Sequence, residues 1–163
     1  MDYFIREMKI EDYDELFYLW EQTDGLSIEE DDNREGIDIY LKRNSGLCFV
    51  ACAEGVIIGS VLCGHEGRRG NLRHLAVKPE YRSKGIARAL INQSLTALAK
   101  EGIKKCNTFV LDENKKGRFF WGDLGWNLLE DNFRTMQSPT DRNKRSSINQ
   151  KPPRKSKPRI KSC

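Results

Sequence analysis

Leu75-Ala76-Val77-Lys78-Pro79-Glu80-Tyr81-Arg82-Ser83-Lys84-Gly85-Ile86-Ala87 reads as an apolar strand, a proline stop, a short basic turn and the start of a helix. Leu72 to Val77 supplies the strand, and Pro79, which has no N–H to offer a neighbour, stops it. From Gly85 to Lys100 the apolar residues Ala87, Leu90, Ile91, Leu95 and Leu98 recur at helical spacing, and Gly102 stands where a left-handed C-terminal cap belongs. Successive backbone N–H groups at the positive end of such a helix form an anion site. Gly85 lets a phosphate come close to the backbone there, and Arg82 and Lys84 add charge. The stretch lacks GxGxxG, and it lacks the P-loop glycine followed by Lys and Ser or Thr, so neither a dinucleotide fold nor an NTPase is favoured. Taken alone, the same residues also suit an ordinary exposed helix start.

Working outward, Tyr3 to Met8 is expected as a first strand, and Glu11 to Thr23 as a helix whose apolar stripe is Tyr13, Leu16, Phe17, Leu19 and Trp20. A second helix is expected from about Asn33 to Lys42, with the acidic run Glu29-Glu30-Asp31-Asp32 just before its positive end. Leu47 to Ala53 and Val56 to Cys63 are strands joined at Glu54-Gly55. Gly64 to Gly70 is a polar, glycine-rich connection. Cys106 to Leu111 reads as a strand, Asn114 to Leu124 as a short helix ended by Gly125, and Trp126 to Gln137 as one or two weakly patterned last strands. Helices alternate with strands only in the second half, which predicts an α+β class with a mixed sheet.

The length of 163 residues predicts one domain. The net charge of +4 is unevenly spread: nine Lys or Arg and a single acid follow Ser138, so the preceding residues carry more acid than base. The expected division is a folded domain over 1–138 and a basic tail over 139–163, too poor in apolar residues to offset the entropy of ordering itself. The five cysteines, Cys48, Cys52, Cys63, Cys106 and Cys163, form no CxxC and no metal-ligand spacing; reduced thiols, no metal and a cytoplasmic setting are expected. Met1 to Glu7 contains no long apolar region, and no segment approaches the roughly 20 apolar residues that span a bilayer, so no membrane partner is expected.

The quoted stretch resembles the acyl-coenzyme A-binding motif of the GNAT acetyltransferase superfamily, Arg or Gln, two residues, Gly, one residue, Gly or Ala, placed after an apolar strand. Asn114 with Phe119-Phe120-Trp121-Gly122-Asp123-Leu124-Gly125-Trp126 looks like that superfamily's downstream Asn and F-Y-x-x-x-G-F. Gly64 to Gly70 with His74 to Val77 is similar to its small YpeA-like members. The likeness runs from about Tyr3 to Met136. It implies a three-layer α+β fold whose central sheet, mixed but mostly antiparallel, is splayed between two strands. It also implies that acetyl-CoA is the co-substrate of an N-acetyltransferase. The pantetheine arm would pair with the backbone of Leu75, Ala76 and Val77, and the pyrophosphate would rest on Arg82, Ser83, Lys84, Gly85, Ile86 and Ala87. Asn114, Phe120 and Trp121 would complete the coenzyme site. The family's tyrosine, often the acid for the leaving thiolate, is Trp121 here. An indole N–H is no proton source, which leaves Tyr81 or solvent for that task.

Transfer to an amine calls for a base that titrates near working pH. His74 fits by chemistry, and Glu113 at the end of the following strand is a second candidate. Each also has a purely structural reading. Strict alternation along the strand would put Arg73 on the face opposite His74. The acidic run Glu29 to Asp32 could steer a cationic amine or could simply be solvated. Cys63 near His65 lacks a third orienting residue and is read as a buried thiol. The expected partner is a small-molecule or peptide amine; nucleic acid is not favoured, and a homodimer is left open. Two rival functions remain: a non-catalytic acyl-CoA-binding module, and a nucleic-acid-associated protein acting through the basic tail, which has no aromatic residue to stack on bases.

Overall fold

Strands that are apolar without alternation need cover on both faces, and the two runs around Glu54-Gly55 receive it. In the computed structural model, which describes residues 2–129, β2 (Phe49–Ala53) is buried at every position and β3 (Val56–His65) at all but its ends. The sheet runs in the order β1-β2-β3-β4-β5, with β1 (Phe4–Glu7) on one edge, β4 (Gly70–Val77) beyond β3, and β5 (Cys106–Thr108) last. The first four strands are antiparallel neighbours and β5 lies parallel to β4. This is the mixed, mostly antiparallel sheet expected.

One face carries α1 (Tyr13–Glu21) and α2 (Arg34–Arg43), each preceded by a 3-10 turn. Leu16, Leu19 and Trp20 of α1 and Ile37 of α2 pack there on Val50, Cys52, Ile57, Leu62 and Ala76. The opposite face carries α3 (Ile86–Lys100) and α4 (Lys115–Asp123). Ile86, Leu90, Ile91 and Leu98 of α3 close the core there over Ala51, Ile58, Val61, Leu72 and Val77, with Phe120, Trp121 and Leu124 of α4 partly buried beside them. Asn33 caps α2 by accepting the Gly36 N–H at 2.9 Å, so the acidic run sits at that helix start as the sequence implied.

Three expectations change. β3 and β4 extend through His65 and from Gly70, which shrinks the polar connection to Glu66–Arg69. β5 stops at Thr108 instead of Leu111 because only Gly70, Asn71 and Leu72 of β4 pair with it. Residues 126–129 form no strand, and the rest of the expected terminal strands, the 138/139 boundary and the basic tail lie outside the described residues. The chain divides into units at 1–127 and 128–163, and the first holds every element named above. No helix among the described residues is long and apolar enough to cross a membrane.

Candidate active site

β4 leaves β5 halfway along its length. Pairing ends at Leu72–Thr108, where the Thr108 hydroxyl donates to the Leu72 carbonyl at 3.2 Å. On the other side β4 stays hydrogen-bonded to β3 as far as Val77, which faces Gly59. From Arg73 to Val77, therefore, β4 has no partner on its β5 side among the described strands. The Arg73 guanidinium lies 4.8 Å from the centre of the Phe109 ring, at the point where the two strands part.

The chain leaves Val77 through a 3-10 turn at Pro79–Tyr81 into the basic turn. Arg82 Nε donates to the Val77 carbonyl at 3.0 Å and Lys84 Nζ to the Glu80 carbonyl at 3.0 Å, pinning the turn to the end of β4. Ser83 and Gly85 both adopt positive φ, 60° and 79°. Gly85 is needed for that dihedral and not for protein packing, since a Cβ there would meet nothing within 4 Å. The first helical hydrogen bond runs from Ala89 N to Gly85 O, so the N–H groups of Ile86, Ala87 and Arg88 lack carbonyls one turn behind them. Arg82, Ser83, Lys84 and Gly85 are exposed, Ala87 half-buried and Ile86 fully buried in the core. This is an open, positively charged helix start at the end of an unpaired strand edge.

His74 marks the place where β4 bends. Ser60 faces Ala76 but Leu62 faces Arg73, so β4 has one residue more than β3 at this step, and His74 takes the strain with φ 49°. The strict alternation that separated Arg73 from His74 is therefore broken. A non-glycine residue at such a φ costs on the order of 1 kcal/mol, and a buried polar chain holds it: Trp20 Nε1 donates to Ser60 Oγ at 2.9 Å, and Ser60 Oγ donates to the His74 carbonyl at 3.1 Å. The Trp20 ring meets the imidazole edge-on, 4.6 Å between centroids. The His74 side chain is 10% exposed, and its Nε2 lies 3.1 Å from Oδ2 of Asp32, whose side chain is 14% exposed. The approach is at hydrogen-bonding length but not aligned as a hydrogen bond, and Nε2 has no other partner.

Asp32 is fixed from several sides. Its Oδ2 accepts the Glu29 N–H at 2.8 Å, and its main-chain carbonyl accepts the Tyr13 hydroxyl at 3.0 Å. Burial opposes its charge, but His74, the Glu29 N–H and the more distant Arg73 outweigh it and hold the carboxyl below its usual range.

Glu113 is exposed in the loop between β5 and α4, five residues past the end of the shortened β5 and not at a strand end. Asn114 caps α4, accepting the Gly117 N–H at 2.8 Å. Its amide lies so close to Gly25, after α1, that a Cβ on Gly25 would overlap it. Phe120 and Trp121 are half-buried; Trp121 packs edge-on against Phe120 at 5.4 Å and Trp126 at 4.6 Å. Tyr81, half-buried, carries Lys84 Nζ 5.3 Å from its ring centre. The Cys63–His65 pairing does not form: His65 accepts the Gly67 N–H on Nδ1 and reaches Glu101 at 2.7 Å through Nε2. Cys63 is fully buried, and a hydrogen bond with Cys106 together with burial raises its thiol far above the ordinary range.

An apolar strand with one free edge, ending in an exposed basic helix start, on a sheet of this order, is matched by a known family. The family model for the acetyltransferase (GNAT) family covers residues 6–126. The chain belongs to the GNAT acetyltransferase family. A Yersinia pestis protein described as an acetyltransferase is 36% identical over 110 residues, 68% of this chain and 77% of its own length. An acetyltransferase of Sodalis glossinidius matches to the same extent. Among solved structures, the PaiA N-acetyltransferase of Thermoplasma acidophilum in complex with coenzyme A superposes with a TM-score of 0.72 at 24% identity, covering 80% of this chain and 93% of its own. AAC(6')-Iy in complex with the bisubstrate analogue CoA-S-monomethyl-acetylneamine superposes at 0.68 with 20% identity, over 85% of this chain and all of its own. The GNAT fold thus brings Leu75–Val77, Arg82–Ala87 and His74 to one strand and its exit. What the sequence did not single out is the Trp20–Ser60 support of the bulge and the specific pairing of Asp32 with His74. A lone serine inside the apolar run Val56–Cys63 was the available signal for the former.

Proposed function

We propose that this GNAT acetyltransferase transfers the acetyl group of acetyl-CoA directly to a primary amine of a small molecule or peptide. The observation that carries the reading is the unpaired β4 edge from Arg73 to Val77 leading without a break into the open helix start at Gly85. Acetyl-CoA supplies an activated thioester. The backbone of Leu75, Ala76 and Val77 would pair with an extended amide-bearing arm, and the N–H groups after Gly85, with Arg82, Ser83 and Lys84, would receive a pyrophosphate. A main-chain N–H near Val77 polarises the thioester carbonyl. Asn114 at the start of α4, with Phe120 and Trp121 on it, would complete the coenzyme site. His74 takes the proton that the amine gives up as its nitrogen bonds to the carbonyl carbon; the carbon–sulfur bond then breaks and the thiolate regains a proton from solvent or Tyr81. Glu113, exposed and outside the His74 network, is the weaker base candidate.

Asp32 and the acidic run before α2 favour an acceptor that arrives as an ammonium ion and gives its extra proton to water before the neutral nitrogen attacks. Titration calorimetry with acetyl-CoA, followed by a coenzyme-release assay over a panel of primary amines, tests both halves of the proposal. Replacing Gly85 by Val should weaken acetyl-CoA binding at least tenfold, about 1.4 kcal/mol, because the side chain would occupy open space before the helix start and oppose φ 79°. Unchanged affinity in a folded G85V protein removes the coenzyme from this site.

A further inference from the structure

We infer that Asp32 is a positioning residue for His74, fixing which imidazole nitrogen carries the proton and so making Nδ1 the basic nitrogen toward the acceptor amine. The inference rests on the acetyltransferase reading above. It begins from an oddity: a side chain nine-tenths buried, on a strained bulge, with Nε2 3.1 Å from a carboxylate, out of line for a hydrogen bond, and without another partner. A buried polar atom without an aligned partner is costly and uncommon, and backbone strain held by its surroundings concentrates at working sites. Here three separate devices hold one histidine. Trp20 stacks its edge on the ring, Ser60 grips the His74 carbonyl, and Asp32 faces Nε2.

A carboxylate facing one ring nitrogen keeps the proton on it. In the neutral ring the lone pair is then on Nδ1, and when the ring takes a proton from the amine the resulting imidazolium has Asp32 beside it. Catalytic contacts of this kind are often poorly aligned before substrate binds and tighten afterwards, which accounts for a 3.1 Å approach lying off the bond axis. Asp32 itself is not left to find its position. The Glu29 N–H holds Oδ2 at 2.8 Å and Tyr13 holds the backbone carbonyl at 3.0 Å, so the carboxylate is oriented before His74 needs it. The other charged group acting on this carboxylate is Arg73, on the same strand as His74.

The experiment uses the full chain, which contains only two histidines, so the imidazole nitrogen signals of His74 can be assigned by comparison with H65Q. In the wild-type protein nitrogen NMR should show the neutral His74 ring protonated at Nε2. D32N, similar in shape and still able to accept the Glu29 N–H, should bind acetyl-CoA as the wild type does. Its kcat should fall roughly tenfold or more at little-changed acceptor KM, and its His74 signals should shift toward the other tautomer. D32E, which restores the charge, should recover part of the kcat. A wild-type ring protonated at Nδ1, or D32N with wild-type kcat, overturns the inference. So does D32N with raised acceptor KM and normal kcat, which would make Asp32 an amine-binding group. Failure of the acetyltransferase reading shows separately, as absent acetyl-CoA binding in the wild type.

Discussion

At the scale of single residues, one ion pair ties β1 to the start of α1. Arg6 on β1 grips Asp12 with two nitrogens, at 2.7 and 2.8 Å, and the Lys9 N–H adds a third bond to the same carboxylate at 2.9 Å. Burial works against the Asp12 charge, yet Arg6 and the Lys9 N–H prevail and hold the carboxyl below its ordinary range. A depressed carboxyl stabilises the fold above its unfolded titration range, near pH 4, and that contribution disappears as the pH falls through the folded value. D12N can keep the bond to Lys9 but removes the charge and one of the two oxygens that accept from Arg6. It should cost about 1 kcal/mol at pH 7, since the pair is partly exposed and screened, and the difference from wild type should close on acidification below about pH 4; urea unfolding at pH 7 and pH 3 measures both. The exposed turn and helix start at Arg82–Ala87 were legible in the sequence because consecutive residues form them. The Asp32–His74 pairing was not, because 42 positions separate its members and only the bulge, which no composition rule marks, brings the ring to α2's approach.

At the scale of elements, the site depends on how closely α3 lies against the sheet. Gly59 on β3 faces Val77, and a Cβ there would sit 3.1 Å from the Ala76 carbonyl oxygen, 3.2 Å from Leu90 Cδ1 and 3.3 Å from Ile86 Cγ2. The carbonyl belongs to a neighbouring strand and cannot move without breaking the ladder, so α3 must yield. G59V should therefore destabilise the protein by about 1–3 kcal/mol through overpacking and, by lifting the first turn of α3, weaken acetyl-CoA binding as well. A variant that loses stability with full coenzyme affinity would show that the helix start is set by Pro79–Gly85 alone. Elements with strong periodicity or buried on both faces, such as α3 and β2, were readable from sequence to within a residue or two. β5 was overestimated by three residues because Phe109 to Leu111 is as apolar as a strand, while pairing is decided by where β4 bends away at His74.

At the scale of the whole chain, charge is divided along the sequence. The residues up to Ser138 carry more acid than base, and nine Lys or Arg against one acid follow. Coenzyme A is itself a polyanion, so the basic tail is as plausible an attractor for it as the proposed site at the helix start, and low-salt binding data would not tell the two apart. Their responses to salt differ. A run of positive charge acts through long-range attraction and counterion release, which fade beyond roughly 8 Å at physiological ionic strength. Backbone N–H groups on a diphosphate act at hydrogen-bonding distance and are screened far less. Removal of residues 139–163 should therefore leave acetyl-CoA affinity within about twofold at 0.15 M salt while reducing the steepness with which affinity falls as salt rises. Calorimetry across a salt series compares the two chains directly. A truncated protein that keeps its fold by circular dichroism yet loses coenzyme binding at 0.15 M salt would move the anion site from the Gly85 turn to the tail, because only a contact made by the removed residues could vanish with the helix start intact.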